Sequence, residues 1–102
     1  ITNTNKKIKH IMNILKKANE IVNERSEEKE RQYGNFIECM AKTARIASEM
    51  SSKEITTEDA YNVLIALKLS RQSNKYKEDN LLDAVAYIGS LNNYKLNTNK
   101  NG

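Results

Sequence analysis

Thr56-Thr57-Glu58-Asp59-Ala60-Tyr61-Asn62-Val63-Leu64-Ile65-Ala66-Leu67-Lys68-Leu69-Ser70-Arg71 holds the start and the end of a helix in one short stretch. Thr56 followed three residues later by Asp59 has the form of a capping box with the shorter acid. In that arrangement a hydroxyl and a carboxylate take up backbone N–H groups that a helix start leaves without partners. Glu58 and Asp59 suit the positive end of the helix dipole, and Lys68 and Arg71 suit the negative end. Tyr61, Val63, Leu64, Leu67 and Leu69 supply apolar surface between them. The stretch predicts a helix opening at Thr56 and running to about Arg71.

The same signals extend in both directions. Ile8, Ile11, Met12, Leu15, Ala18, Ile21 and Val22 recur at steps of three and four and predict a helix over about Thr4 to Glu24. Arg25 to Gln32 is almost wholly charged or polar, and Tyr33-Gly34-Asn35 offers a turn. Phe36, Ile37, Met40, Ala41, Ala44, Ala47 and Met50 rebuild the spacing for a second helix, which Ser51-Ser52-Lys53 ends. Cys39, beside Met40 and Ala41, is read as a buried small hydrophobe. After a polar loop from Ser73 to Lys77, Asp79 or Asn80 can cap a last helix with Leu81, Leu82, Val85, Ala86, Ile88 and Leu91 on its apolar stripe. The tail from Lys95 is polar and is expected to fray.

No stretch alternates with period two, so the expected class is all-α, a compact four-helix bundle. Residues 1–94 form the single helical domain and 95–102 a flexible polar tail. Ala41, Ala44, Ala47, Ala60, Ala66, Ala84 and Ala86, placed on inner faces, suit close helix packing or a helix-exchanged dimer. The chain has 102 residues, 38% hydrophobic and 29% charged. At that length and composition the core is small, which favours a homo-oligomer.

Several function classes fall away on composition. The longest apolar runs are a few residues, as at Val63 to Leu67, too short to span a membrane. The opening segment has no apolar core of a signal peptide, so the expected location is cytoplasmic. A net charge of +4 is diffuse, with the lysines between Lys6 and Lys17 offset by acids around Glu24 to Glu30, which disfavours direct DNA binding. One Cys and one His, Cys39 and His10, cannot build a Cys/His metal site within one chain or an internal disulfide. His10 reads as an exposed or boundary side chain. Three glycines, Gly34, Gly89 and Gly102, form no phosphate loop.

The cluster with chemical content joins the end of the third helix to the start of the fourth: Lys68, Arg71, Lys75, Lys77, Asp79, Asp83 and Tyr87. Asp79 and Asp83 are four apart, so within one helix their carboxylates project to the same side. They can share a divalent metal or orient a ligand base. Lys68, Arg71 or Lys77, with the free N–H groups of the helix start, form a phosphate pocket. The plain alternative is a capped helix start, a surface acid and a basic helix terminus.

Arg31-Gln32-Tyr33-Gly34, the opening Ile55-Thr56-Thr57-Glu58-Asp59, the closing Lys68-Leu69-Ser70-Arg71 and the run from Glu78 to Tyr87 resemble a family of small phage and prophage proteins of unknown function. The motifs of that family read R-x-x-YG, I-T-P-E-D, L-K-x-x-R and D-S-x-x-D-x-x-G-Y. The resemblance covers about Ile14 to Tyr94. Thr57 stands in place of the usual Pro, and Ala86 in place of the Gly before the Tyr. That family is similar in turn to the nucleotide modification associated domains and, distantly, to the all-α nucleoside triphosphate pyrophosphatases of the MazG type. Enzymes of that type hold magnesium with an E-x-x-E helix followed by an E-x-x-D helix. Here Asp79 and Asp83 fit only the second. Glu24, Glu27 and Glu30 fit the first formally, but they lie in a hydrophilic run where such spacing arises by chance.

An incomplete carboxylate set favours binding without turnover. The expectation is a phage-type protein of the infected bacterial cytoplasm that holds a nucleotide or cyclic nucleotide, and sequesters a host immune signal without cleaving it. The ligand residues would be Arg31, Tyr33, Lys68, Arg71, Lys77, Asp79, Asp83 and Tyr87, with no cofactor. One alternative is a magnesium-dependent pyrophosphohydrolase with the metal on Asp79 and Asp83. Another is an inhibitor of a protein partner with no small-molecule site.

Overall fold

The computed structural model describes residues 2–24 and 35–101, with side chains described for 13–24 and 35–98. Among the described residues there are four helices and no strand: α1 (Thr2–Asn23), α2 (Phe36–Ser51), α3 (Thr57–Asn74) and α4 (Glu78–Asn101). The architecture is an all-α four-helix bundle. The expected connection between the first two helices lies outside the described residues.

Local chemistry explains the helix ends. Asn35 caps α2, its side chain accepting the Glu38 N–H at 3.1 Å, and Ser52 closes the helix in the left-handed conformation at φ 58°. The capping box of α3 forms as expected: Thr56 Oγ1 accepts the Asp59 N–H and Asp59 Oδ2 accepts the Thr56 N–H, each at 3.0 Å. Those bonds hold the Asp59 carboxyl below its usual range, the backbone bond contributing most. Before it, Ser48 Oγ accepts the Ile55 N–H at 2.8 Å and tethers the α2–α3 connection to the body of α2.

Three boundaries differ from expectation. Helix α3 continues about one turn past Arg71 to Asn74, where the Lys75 N–H donates to the Arg71 carbonyl at 3.2 Å. Helix α4 begins at Glu78, so Asp79 and Asn80 lie inside its first turn and neither is the cap. It also runs through the polar segment from Lys95, where fraying was expected, to Asn101. Lys95 Nζ, 2.7 Å from Glu58 Oε1 on α3, fastens that last part, and the Thr98 hydroxyl donates to the Tyr94 carbonyl.

Helix α4 is the hub, packing against all three others, most extensively against α3. Three contacts fix the α3–α4 register: Lys68 with Asp83, Tyr61 with Ser90 and Glu58 with Lys95. The partner number rises as the first falls, so the helices are antiparallel. On α1 the order ascends instead, with Lys17 3.7 Å from Glu78, Val22 against Gly89, and Asn23 accepting from Asn93 at 2.9 Å. Helices α1 and α4 therefore run in the same general direction.

The core is built largely of small side chains. Among the described residues, Ala18, Met40, Ala44, Ala60, Tyr61, Ala84 and Ala86 are the buried apolar ones. Alanines admit close backbone approach but bury little area each, so the large side chains matter more per residue. Tyr61 is fully buried. Phe36 meets it edge-on at 5.9 Å between ring centroids, and Tyr94 lies 6.3 Å away on its other neighbour helix.

Several side chains expected inside are outside. Cys39 is exposed, as are Met50, Val63, Ala66, Leu67 and Leu69. The buried edge of α2 runs through Met40 and Ala44, and a helix turns 100° per residue, which carries Cys39 away from it. On α3 the buried edge runs through Ala60 and Tyr61, and Val63 and Leu67 flank it on the Ala60 side, turned away from Tyr61.

Candidate functional site

The corner where α3 ends and α4 begins is pinned by main-chain and amide bonds. Lys75, Tyr76 and Lys77 form the whole connection. The Lys77 N–H donates to Gln72 Oε1 at 3.2 Å, and the Lys77 carbonyl accepts the Asn80 N–H at 3.0 Å. Gln72 and the start of α4 thus hold both sides of Lys77, and its long side chain extends from an anchored backbone.

Arg71, Lys75 and Lys77 are exposed around this corner, and among the described residues none of the three has an ion-pair partner. Tyr76, between the two lysines, is 60% exposed. Asp79 is exposed in the first turn of α4.

Lys68 and Asp83 are brought together, but with each other. Lys68 Nζ stands 2.9 Å from Asp83 Oδ2, with the lysine side chain 16% exposed and the aspartate 38%. Tyr87 is half-buried and stacks on Phe36, the rings 5.6 Å apart and 5° from parallel. One face of that ring is therefore covered. Arg31 and Tyr33 lie outside the described residues, as do Glu27, Glu30 and the His10 side chain.

Asp79 and Asp83 share a helix four residues apart, as the spacing required. Among the described residues no three His, Cys, Asp or Glu side chains gather closely enough to hold a metal ion. In the pyrophosphohydrolase alternative, magnesium would have to draw Asp83 away from Lys68. The exposed groups suit a different task. Cations on an anchored loop match phosphate oxygens, and an exposed phenol ring offers a face for a nucleobase.

Tyr76 is the residue that the reading of the sequence missed. Its signal was present, an aromatic interleaved between Lys75 and Lys77, but the surrounding polar residues marked the segment only as a loop. Phe36 was placed in the core as expected, yet its stacking on Tyr87 depends on α2 meeting α4, which no local pattern encodes.

The family model described as Domain of unknown function (DUF6378) matches residues 13–95, and the chain belongs to that family. No curated protein and no solved structure matches the chain.

Proposed function

We propose that this member of the DUF6378 family binds a nucleotide or nucleotide-derived ligand at the α3–α4 corner and does not cleave it. The observation that carries the reading is the Lys75-Tyr76-Lys77 loop, where two exposed cations flank an exposed ring on a backbone anchored by Gln72, with exposed Arg71 a turn earlier on α3. Phosphate contacts fall to Arg71, Lys75 and Lys77, and stacking to Tyr76. Lys68 is committed to Asp83 beneath the corner, and Tyr87, further along α4, is committed to its stack on Phe36.

The biological setting follows from the resemblance to small phage and prophage proteins. A phage protein that retains a cyclic nucleotide or similar host immune signal acts by stoichiometric removal, so it needs affinity and no catalytic centre. The homo-oligomeric state belongs to the same proposal, since each added copy adds a site.

A thermal-shift screen against nucleoside triphosphates and cyclic nucleotides, with and without magnesium, tests the reading. A ligand that binds only the folded state raises Tm. The expected result is a rise with at least one nucleotide, without need of magnesium, and recovery of that nucleotide intact after heat denaturation. Release of a cleaved product would favour the pyrophosphohydrolase. No shift with any nucleotide would favour a protein-partner inhibitor.

A further inference from the structure

Helix α3 carries apolar surface beside its buried edge as well as on it. Tyr61, Leu64 and Ile65 look inward, while Val63 is 65% exposed and Leu67 41% exposed on the outside. At 100° per residue, Asp59, Val63, Ala66, Leu67 and Ser70 fall on one outward stripe about 100° wide, with Arg71 at its edge. The exposed residues of α3 between Asp59 and Arg71 are Asn62, Val63, Ala66, Leu67, Leu69 and Ser70, and none is charged. The outward side of α2 is the ordinary case, with Glu38, Lys42, Arg45 and Glu49 around Ile46. An exposed apolar stripe free of charge along its length marks a surface that another molecule covers.

The ends of the stripe indicate what covers it. It carries one negative charge at the N-terminal end, Asp59, and one positive charge at the C-terminal end, Arg71. A second α3 laid antiparallel across it by a two-fold axis at the level of Ile65 sets Asp59 beside the partner's Arg71, and the same register sets Val63 beside the partner's Leu67. One register thus satisfies the charges and the apolar pair together, and each contact occurs twice, as a two-fold interface requires. Ala66 and Ser70 are small enough to let the two helices approach closely. Opposed helix dipoles favour the same antiparallel arrangement.

We infer that the occupant of this face is a second copy of the chain, paired α3 to α3 in antiparallel register with Asp59 facing Arg71 across the dyad. This adds an interface and a register to the oligomer invoked above, and its test uses protein without nucleotide. The guanidinium of Arg71 has five donors, enough to hold a carboxylate on one edge and a phosphate on the other. A single helix pair is small against the roughly 800 Å² per partner of a standard interface, so dissociation is expected in the micromolar range.

Sedimentation equilibrium across that range provides the test. Wild-type protein should approach twice its 11.7 kDa mass as concentration rises. Leu67→Glu should raise the dimer dissociation constant by at least about 100-fold, because the change occurs twice in the interface. Its far-UV circular dichroism should stay that of the wild type. Val63→Lys serves equally should Leu67→Glu lose helicity. Arg71→Glu should weaken the dimer, because it sets two acids, Asp59 and the new glutamate, against each other twice in the interface. Wild type that stays at monomer mass, or folded Leu67→Glu and Val63→Lys that keep the dimer, overturns the inference. Arg71→Glu that leaves assembly unchanged overturns the register.

Discussion

Lys68 on α3 and Asp83 on α4 form an ion pair at 2.9 Å, so two residues that sequence placed in one ligand pocket satisfy each other. The pair sits near the loop end of the antiparallel α3–α4 contact, where the lysine is the more enclosed partner. Removing the carboxylate leaves a partly enclosed ammonium without its counter-charge, and also releases a cation toward the exposed corner.

Asp83→Asn is therefore expected to lower stability by about 0.5–1 kcal/mol, the upper part of the range for a pair this accessible. In a domain of this size that is a fall in Tm of a few degrees. Retention of a nucleotide through gel filtration should persist or improve. Wild-type protein with excess magnesium should leave nucleoside triphosphates and cyclic nucleotides intact over hours. Turnover by the wild type that vanishes in Asp83→Asn would instead assign Asp83 to a metal site, since a neutral amide is a poor magnesium ligand.

Tyr61→Phe tests the buried end of the same interface. The Tyr61 hydroxyl and Ser90 Oγ are 2.6 Å apart, fully enclosed between α3 and α4. Removing one leaves the other without its partner, which costs about 1–2 kcal/mol and lowers Tm by roughly 5–10 °C. Burial also pushes the Tyr61 phenol up, against a smaller opposing effect of Ser90. The folded state thus holds that proton more tightly than the unfolded chain does. Its contribution is complete below about pH 10, the unfolded value, and is lost as pH rises through the folded value. Alkaline denaturation curves of wild type and Tyr61→Phe should converge above pH 10, and parallel curves would contradict the assignment.

Gly89→Ala should stabilise the protein. Gly89 lies inside α4, where glycine costs roughly 0.5–1 kcal/mol relative to alanine. A Cβ placed there would meet Val22 Cγ2 of α1 at 3.8 Å, an ordinary van der Waals contact. The expected outcome in chemical denaturation is a higher midpoint with an unchanged slope. A lower midpoint would mean that Val22 of α1 leaves no room for a methyl group at Gly89.

What was legible in sequence follows the range of each interaction. The Thr56–Asp59 box spans three residues, and its chemistry is complete within the local chain, so it was readable to the atom. The Lys68–Asp83 pair requires the α3–α4 register, which is fixed by Tyr61, Ser90, Glu58 and Lys95 acting together. The helical continuation past Lys95 was missed for the same reason, because its anchor Glu58 lies on another helix. Periodicity identified apolar positions on α3 but could not distinguish Tyr61, fully buried, from Val63, mostly exposed, since the apolar surface of that helix is wider than its buried edge.

Lys77→Ala separates ligand contact from assembly at the corner. Lys77 lies in the connection beyond α3, away from the outward stripe that pairs two copies, whereas Arg71 borders both regions. Its exposed side chain makes no described ion pair, so truncation should leave Tm in the absence of ligand within about 0.5 kcal/mol equivalent of the wild type. If its ammonium meets a ligand phosphate, the nucleotide-induced rise in Tm should shrink strongly, while the sedimentation mass stays that of the wild type. Arg71→Ala should shrink the same rise and also weaken the dimer. Tyr76→Ala should reduce the rise without changing its salt dependence, because stacking carries no charge, whereas Lys77→Ala should make the remaining binding less sensitive to salt. An unaltered nucleotide response in both Lys77→Ala and Tyr76→Ala would remove the corner from consideration as the ligand site.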